Sequence, residues 1–168
     1  MVIDGPIDPP LTRANDDPAR APVRWAAIMC GIFFLMIGFA GFVPAVTWNL
    51  HTIEMGYGSE AMVLGIFQVS FLHNIIHLLL GAAVIAQSRF SYTARRILRI
   101  GGGLAAALWL FGLLVDLDSS ANFLALNAAD NWAYFALAIV MIGLSFLSGQ
   151  VTPDSPRVDH HLRSSTMS

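Results

Sequence analysis

Four apolar blocks with almost no charge, separated by short polar segments, dominate the chain. They run from about Trp25 to Val46, Ala61 to Ala86, Ile97 to Leu117 and Asn131 to Val151. A helix rises ~1.5 Å per residue, so each block can cover the ~30 Å hydrocarbon layer of a bilayer. Pro44 fits the end of the first helix, and the second block is long enough to predict tilt or protrusion. Arg99, at the base of the third, is placed to snorkel towards the interface. The pattern predicts an all-α fold, a membrane four-helix bundle with four transmembrane helices.

Composition strengthens that expectation. Hydrophobic residues make up 56% of the chain and charged residues 12%, against roughly 45–50% and about 25% in soluble domains. The polar ends differ. Residues 1–24 carry Asp4, Asp8, Asp16 and Asp17 among five prolines, and residues 152–168 are rich in Ser and Arg. Neither segment can bury enough apolar surface to offset its ordering entropy, so both are predicted to be disordered tails around a membrane domain at 25–151. The acidic start does not read as a secretory signal.

Charge then orients the spans. All nine basic residues are arginine. Arg13, Arg20 and Arg24 precede the first span, Arg89, Arg95, Arg96 and Arg99 lie between the second and third, and Arg157 and Arg163 follow the fourth. The other loops, about 47–60 and 118–130, have no basic residue and carry Glu54, Glu60, Asp118 and Asp130, with Asp116 at the helix end. This asymmetry predicts both termini in the cytoplasm. Cys30 has no partner for an internal disulfide and reads as a small packing residue.

The chemistry that stands out is in the second block. On a helix, Ser70, His73, Asn74, His77 and Gly81 share an arc about 100° wide, with Gln68 pointing away. Polar groups at that depth are costly against lipid, so the arc is expected to face the bundle interior or a wet cavity. His73 and His77 have a spacing able to hold a metal. The stretch resembles the H-E-x-x-H protease motif, but Asn74 stands where the general base would be. No other span offers His, Glu or Cys at that depth as a third ligand. Haem needs axial ligands from opposite faces, and the only other candidate in the spans is Tyr134. A proton relay would pair the histidines with Asp116, Asp118 or Asp130 at the outer mouth. The structural alternative is interhelical hydrogen bonding, worth roughly 0.6–2 kcal/mol per bond.

Small-residue pairs Ala27/Gly31, Gly41/Ala45, Gly101/Ala105, Gly103/Ala107 and Ser145/Gly149 fit close helix packing, within the bundle or between copies. Trp48 and Trp132 fall near the outer interface. The tail pair His160-His161 reads as solvated, and His51, in the outer loop, reads as a surface residue.

Three ordered motifs resemble a known family. They are Gly65-Ile66-Phe67-Gln68-Val69-Ser70 running into Leu72-His73-Asn74-Ile75-Ile76-His77-Leu78-Leu79, then Val115-Asp116-Leu117-Asp118-Ser119-Ser120-Ala121-Asn122-Phe123, then Asn127-Ala128-Ala129-Asp130-Asn131-Trp132. Over about residues 25–150 the chain resembles the family filed as domain of unknown function 4383, small four-span membrane proteins common in actinobacteria. The resemblance implies a multi-pass protein of the bacterial cell (inner) membrane and brings no assigned activity. The family pattern often has His where this chain has Leu117 and Tyr134. Any site here would therefore rest on His73, Asn74 and His77 alone, which counts against the metal and haem readings.

Two classes of function stay open. One is a non-enzymatic structural or accessory bundle, packed against lipid, further copies or other membrane proteins. The other is a carrier of protons, ions or a cofactor, built on Ser70, His73, Asn74 and His77 with the outer acidic motifs Asp116, Asp118, Asp130 and Asn131. No nucleophile–base or carboxylate pair has workable spacing, so no enzymatic activity is expected. No cofactor is assigned, and no nucleic-acid partner is expected.

Overall fold

The computed structural model describes residues 21–147. The tails predicted at the two ends lie outside the described residues, except for residues 21–24, which enter the first helix rather than a tail. Helix α1 spans Pro22–Ala40. It opens on a proline in its first turn, where the missing N–H has no helical partner to lose. The chain turns at Gly41, short of the predicted Val46. Strand β1 (Thr47–Trp48) follows, then a single 3-10 turn at Leu50–Thr52.

The second block departs most from expectation. Its first third is a β-hairpin of β2 (Ala61–Val63) and β3 (Phe67–Val69), and helix α2 covers only Phe71–Gln87. The hairpin turns because Leu64 and Gly65 both have positive φ, 54° and 68°, a conformation that ends a helix and suits a tight strand connection. β2 pairs antiparallel with both β1 and β3, in register Thr47↔Val63 and Ala61↔Val69. The all-α expectation is therefore corrected: a three-stranded sheet caps one end of a mainly helical fold.

Helix α3 runs Ser91–Leu114 and α4 runs Ala128–Leu144. α3 starts a turn and a half before the predicted Ile97, taking Arg95 and Arg96 into the helix with Arg99. α1 and α3, at 19 and 24 residues, are long and apolar enough to cross a membrane, while α2 and α4 are apolar at 17 residues each.

The helices pair as α1 with α2 and α3 with α4, and the two pairs touch more sparingly. Glycine explains how closely α1 and α2 lie. A Cβ on Gly31 would meet the Gly81 carbonyl at 2.9 Å, and one on Gly81 would meet the Gly31 carbonyl at 2.7 Å. Bare backbone at both positions is what lets the axes cross there. Gly101 and Gly102 serve the second pair in the same way, against Met141 and Ile142. Gly103 faces open space, so the Gly103/Ala107 pair is exposed among the described residues rather than packed in the bundle.

Two apolar layers fill the bundle. One, at the arginine-rich end, contains Val23, Ala27, Cys30, Phe34, Val84, Ala94, Leu98 and Met141. The other, towards the acidic end, is built from Ala105, Leu124, Leu126, Tyr134 and Ala138. The outer faces are apolar too: Phe39, Leu79 and Leu114 are 65%, 66% and 87% exposed. Polar side chains instead occupy the interior, among them His73, Asn74, His77 and Asn131.

A knot of hydrogen bonds over a buried histidine pair

The three motifs singled out in the sequence meet at the acidic end. Asp130 is the centre of the contact. Its Oδ2 accepts the backbone N–H of Gln68 in β3 and of Asn127, both at 3.0 Å, while Asn127 Oδ1 accepts the Asp130 N–H at 2.9 Å. The second and third of these form a reciprocal cap that starts α4. The first ties α4 to the sheet. Asn127 adds a bond from Nδ2 to the Ile66 carbonyl at 2.8 Å.

Ser70 makes the next link. It caps α2 from outside the helix rather than lining its face: Oγ accepts the His73 N–H at 3.2 Å and donates to the Leu124 carbonyl at 3.0 Å. Asn122 pins the intervening loop, donating to the Leu117 and Leu126 carbonyls and accepting from the Leu126 N–H, all at 2.8–2.9 Å. Gln68 looks unhelpful on a helical wheel, yet its side chain donates to the Ser59 carbonyl at 2.6 Å. Asp116 and Asp118 are exposed on the rim and do not join the buried cluster. Asp118 instead offers its backbone carbonyl to Tyr57 Oη at 3.0 Å. Beside them a mouth of about 180 Å³ is lined by Glu60, Gln68, Asp118 and Asn122, among others.

One turn below the knot lie the histidines. His73, Asn74, His77 and Gly81 share the buried face of α2, as the helical spacing requires. The His73 and His77 rings are 4.6 Å apart, centre to centre. Tyr134 Oη lies 2.9 Å from His73 Nε2, a bond whose donor depends on the imidazole tautomer. Phe34 stacks on the other side of His77, at 5.6 Å. Both Nδ1 atoms, both polar atoms of the Asn74 side chain and Asn131 Oδ1 are buried with no hydrogen-bond partner. The two asparagines are pressed against glycine, Asn74 on Gly41 and Asn131 on Gly112, where any Cβ would overlap the amide.

The family model described as Domain of unknown function (DUF4383) matches residues 24–147. The chain belongs to this family. In this DUF4383 member the three motifs are one structural unit, a cap that holds the histidine-bearing end of α2 against α4. No curated protein and no solved structure matches the chain.

For chemistry, the geometry brings near one another two imidazoles, a phenol and a carboxylate: Asp130, Tyr134 one turn along α4, then His73 and His77. Among the described residues no third His, Cys, Asp or Glu closes on the histidine pair. The partner of His73 lies outside its own helix: it is Tyr134, named from the sequence only as a candidate haem ligand, and nothing in either segment alone pairs the two.

Proposed function

We propose that this chain is a four-span integral protein of the bacterial cell membrane, non-enzymatic, with both termini on the cytoplasmic side. The observation that carries this is the inverted distribution of side chains. Large apolar residues ring the helices, and the polar residues of α2 and α4 are turned inward, as a hydrocarbon solvent requires. The two 17-residue helices are about 25 Å long by the ~1.5 Å rise, and the cap above them supplies the remaining thickness. The described arginines gather at the opposite end, where Arg24 donates to the Ser88 carbonyl and Arg95 to the Leu147 carbonyl. On this reading the bundle acts by presenting a rigid membrane surface to lipids, to further copies or to other membrane proteins.

Labelling with a membrane-impermeant maleimide on intact cells tests it, in a Cys30→Ala background. Cysteine at Glu54 is expected to react and cysteine at Arg89 to be protected. The reverse pattern would invert the topology, and equal reaction at both would remove the membrane barrier between them.

The unpartnered imidazole nitrogens favour a second reading, a binding site for an ion or small polar ligand reached from the acidic face. It is blind rather than a conduit. Below His77 lies an apolar layer that includes Phe34, Leu98 and Met141. Liposomes carrying the protein are then expected to pass protons no faster than empty ones. Faster flux that disappears in His77→Ala would replace the blind site with a channel.

A further inference from the structure

We propose that the β2–β3 hairpin is a membrane anchor whose tip, Leu64 to Ile66 together with Trp48, rests in the headgroup–acyl boundary of the outer leaflet. The inference rests on the four-span reading above and adds to it a lipid contact made by strands rather than helices.

Three observations carry it. The first is the side chain at the turn. Leu64 and Gly65 have φ of 54° and 68°, and the Ile66 N–H is donated to the Val63 carbonyl at 3.1 Å, so these two are the central residues of a tight turn. Glycine, asparagine and aspartate adopt that left-handed backbone readily, whereas leucine does so only with strain. In water an exposed leucine would return nothing for that strain. Trp48, Leu64 and Ile66 are each more than half exposed. The Trp48 ring lies over Gly65, where an added Cβ would come within 3.1 Å of it. Tryptophan beside aliphatic side chains is the composition that a membrane interface favours.

The second is height. The Ile66 carbonyl accepts from Asn127 Nδ2 at 2.8 Å, and the Gln68 N–H is donated to Asp130 at 3.0 Å. Asn127 caps α4 and Asp130 is in its first turn, so β3 crosses α4 where that helix begins. α2 and α4 are about 25 Å long by the ~1.5 Å rise, short of the ~30 Å hydrocarbon layer. A tip level with the start of α4 therefore lies at the edge of that layer rather than above it. From Ala61 to Ser88 there is no Asp, Glu, Lys or Arg to hold the hairpin in water.

The third is the state of the sheet's edges, and it favours lipid over a partner strand. Open backbone groups are costly against hydrocarbon, and an open edge invites pairing with another chain. On β3 the Gln68 N–H is taken by Asp130 and the Ile66 carbonyl by Asn127. On β1 the Thr47 N–H is taken by the Val43 carbonyl at 2.9 Å. A partner strand would find no donor at Thr47 or Gln68, while the apolar tip stays outside.

The test places an NBD fluorophore on a single cysteine in the Cys30→Ala full chain. The protein is held in phosphatidylcholine–phosphatidylglycerol nanodiscs, which leave both faces open to buffer. A probe at Ile66→Cys is expected to emit to the blue of one at Glu54→Cys and to be protected from iodide. It is expected to lose more intensity to lipids with a nitroxide near the headgroup than to lipids with one at the bilayer centre. A probe at Leu79→Cys, midway along α2, is expected to show the opposite order. Adding Leu64→Asn, which suits the turn but not the lipid, is expected to raise iodide quenching at Ile66. In the unlabelled chain, Trp48→Phe is expected to lower the share of tryptophan emission quenched by lipids brominated near the headgroup.

Iodide access at Ile66, with Leu79 still quenched from the bilayer centre, would overturn the anchor and leave the membrane reading standing. Shielding of Ile66 from iodide and from both nitroxides would also overturn it, because protein would then cover the tip. Iodide access at Leu79 would remove the membrane reading and the anchor with it. Should the labelled chain fail to fold, unchanged bromine quenching in Trp48→Phe decides against the anchor by itself.

Discussion

Replacing Asp130 with alanine removes the most connected residue of the cap. Oδ2 holds two backbone N–H groups at 3.0 Å, from Gln68 and Asn127, and the side chain is 5% exposed. Hydrogen bonds to an ionised carboxylate contribute about 1.5–3 kcal/mol each, so with Asp130 ionised the pair sets a ceiling near 6 kcal/mol. Gln68 and Asn127 are themselves only partly buried, and water entering the vacated space restores part of that loss. The expected cost is about 2–4 kcal/mol. Asp130→Asn retains one acceptor oxygen and is expected to cost about 1 kcal/mol, the ordinary worth of a neutral bond. Asn131→Ala is the internal control. It removes an amide on the adjacent residue whose oxygen has no partner, and is expected to cost no more than about 1 kcal/mol. Unfolding in mixed micelles, driven by added SDS and followed by circular dichroism, ranks the three. An Asp130→Ala variant within about 0.5 kcal/mol of the parent, or an Asn131→Ala variant less stable than it, would refute the assignment of Asp130 as the cap's anchor.

Other substitutions separate contacts that look alike in sequence. Gly31→Val is expected to destabilise the protein by about 1–3 kcal/mol in the same assay, because its side chain would meet Ile85 and the Gly81 carbonyl. Gly103→Ala, facing open space, is expected to be neutral or to stabilise by up to about 1 kcal/mol through helix propensity; a loss there comparable to that at Gly31 would mean that the face is covered. Ser70→Ala strands the Leu124 carbonyl and the His73 N–H and is expected to cost about 1–3 kcal/mol. Asn74→Ala, which breaks no hydrogen bond, is expected to cost less, and the opposite order would show that the Asn74 amide has a partner.

The helices were legible in the sequence because their apolar runs are long and their breakers are plain. Pro44 marks the end of α1, which the structure places about a turn earlier at Gly41, and the Asn127–Asp130 cap starts α4 about a turn before the Asn131 read from the apolar run. The β-hairpin was not, since Ala61 to Val69 is as apolar as a span. Its local signals are short: Gly65 midway between two three-residue runs, and Ser70 standing where an N-cap belongs. A single misplaced boundary then put Ser70 on a helical arc, and Gln68 off it, where no helix exists. His73, Asn74 and His77 do share a face, because helical spacing alone dictates it. What that face meets is set by tertiary contacts between residues about sixty positions apart, and no periodicity carries that information. Tyr134 beside His73 and Asp130 beside Gln68 are both of this kind.

The glycine crossing within α1–α2 and the hydrogen bonds of the cap imply an order of assembly. Gly31 and Gly81 join helices that follow one another along the chain, so the first hairpin can pack as soon as α2 has been synthesised. The α3–α4 pair is likewise local, meeting at Gly101, Gly102 and Met141. The cap is different in kind, because its bonds from Gln68 to Asp130, from Ser70 to Leu124 and from Tyr134 to His73 each join one hairpin to the other. It can close only after the last helix has been synthesised. The histidine pair stays open until then, and Asp130 is both the start of that helix and the clasp that completes the protein.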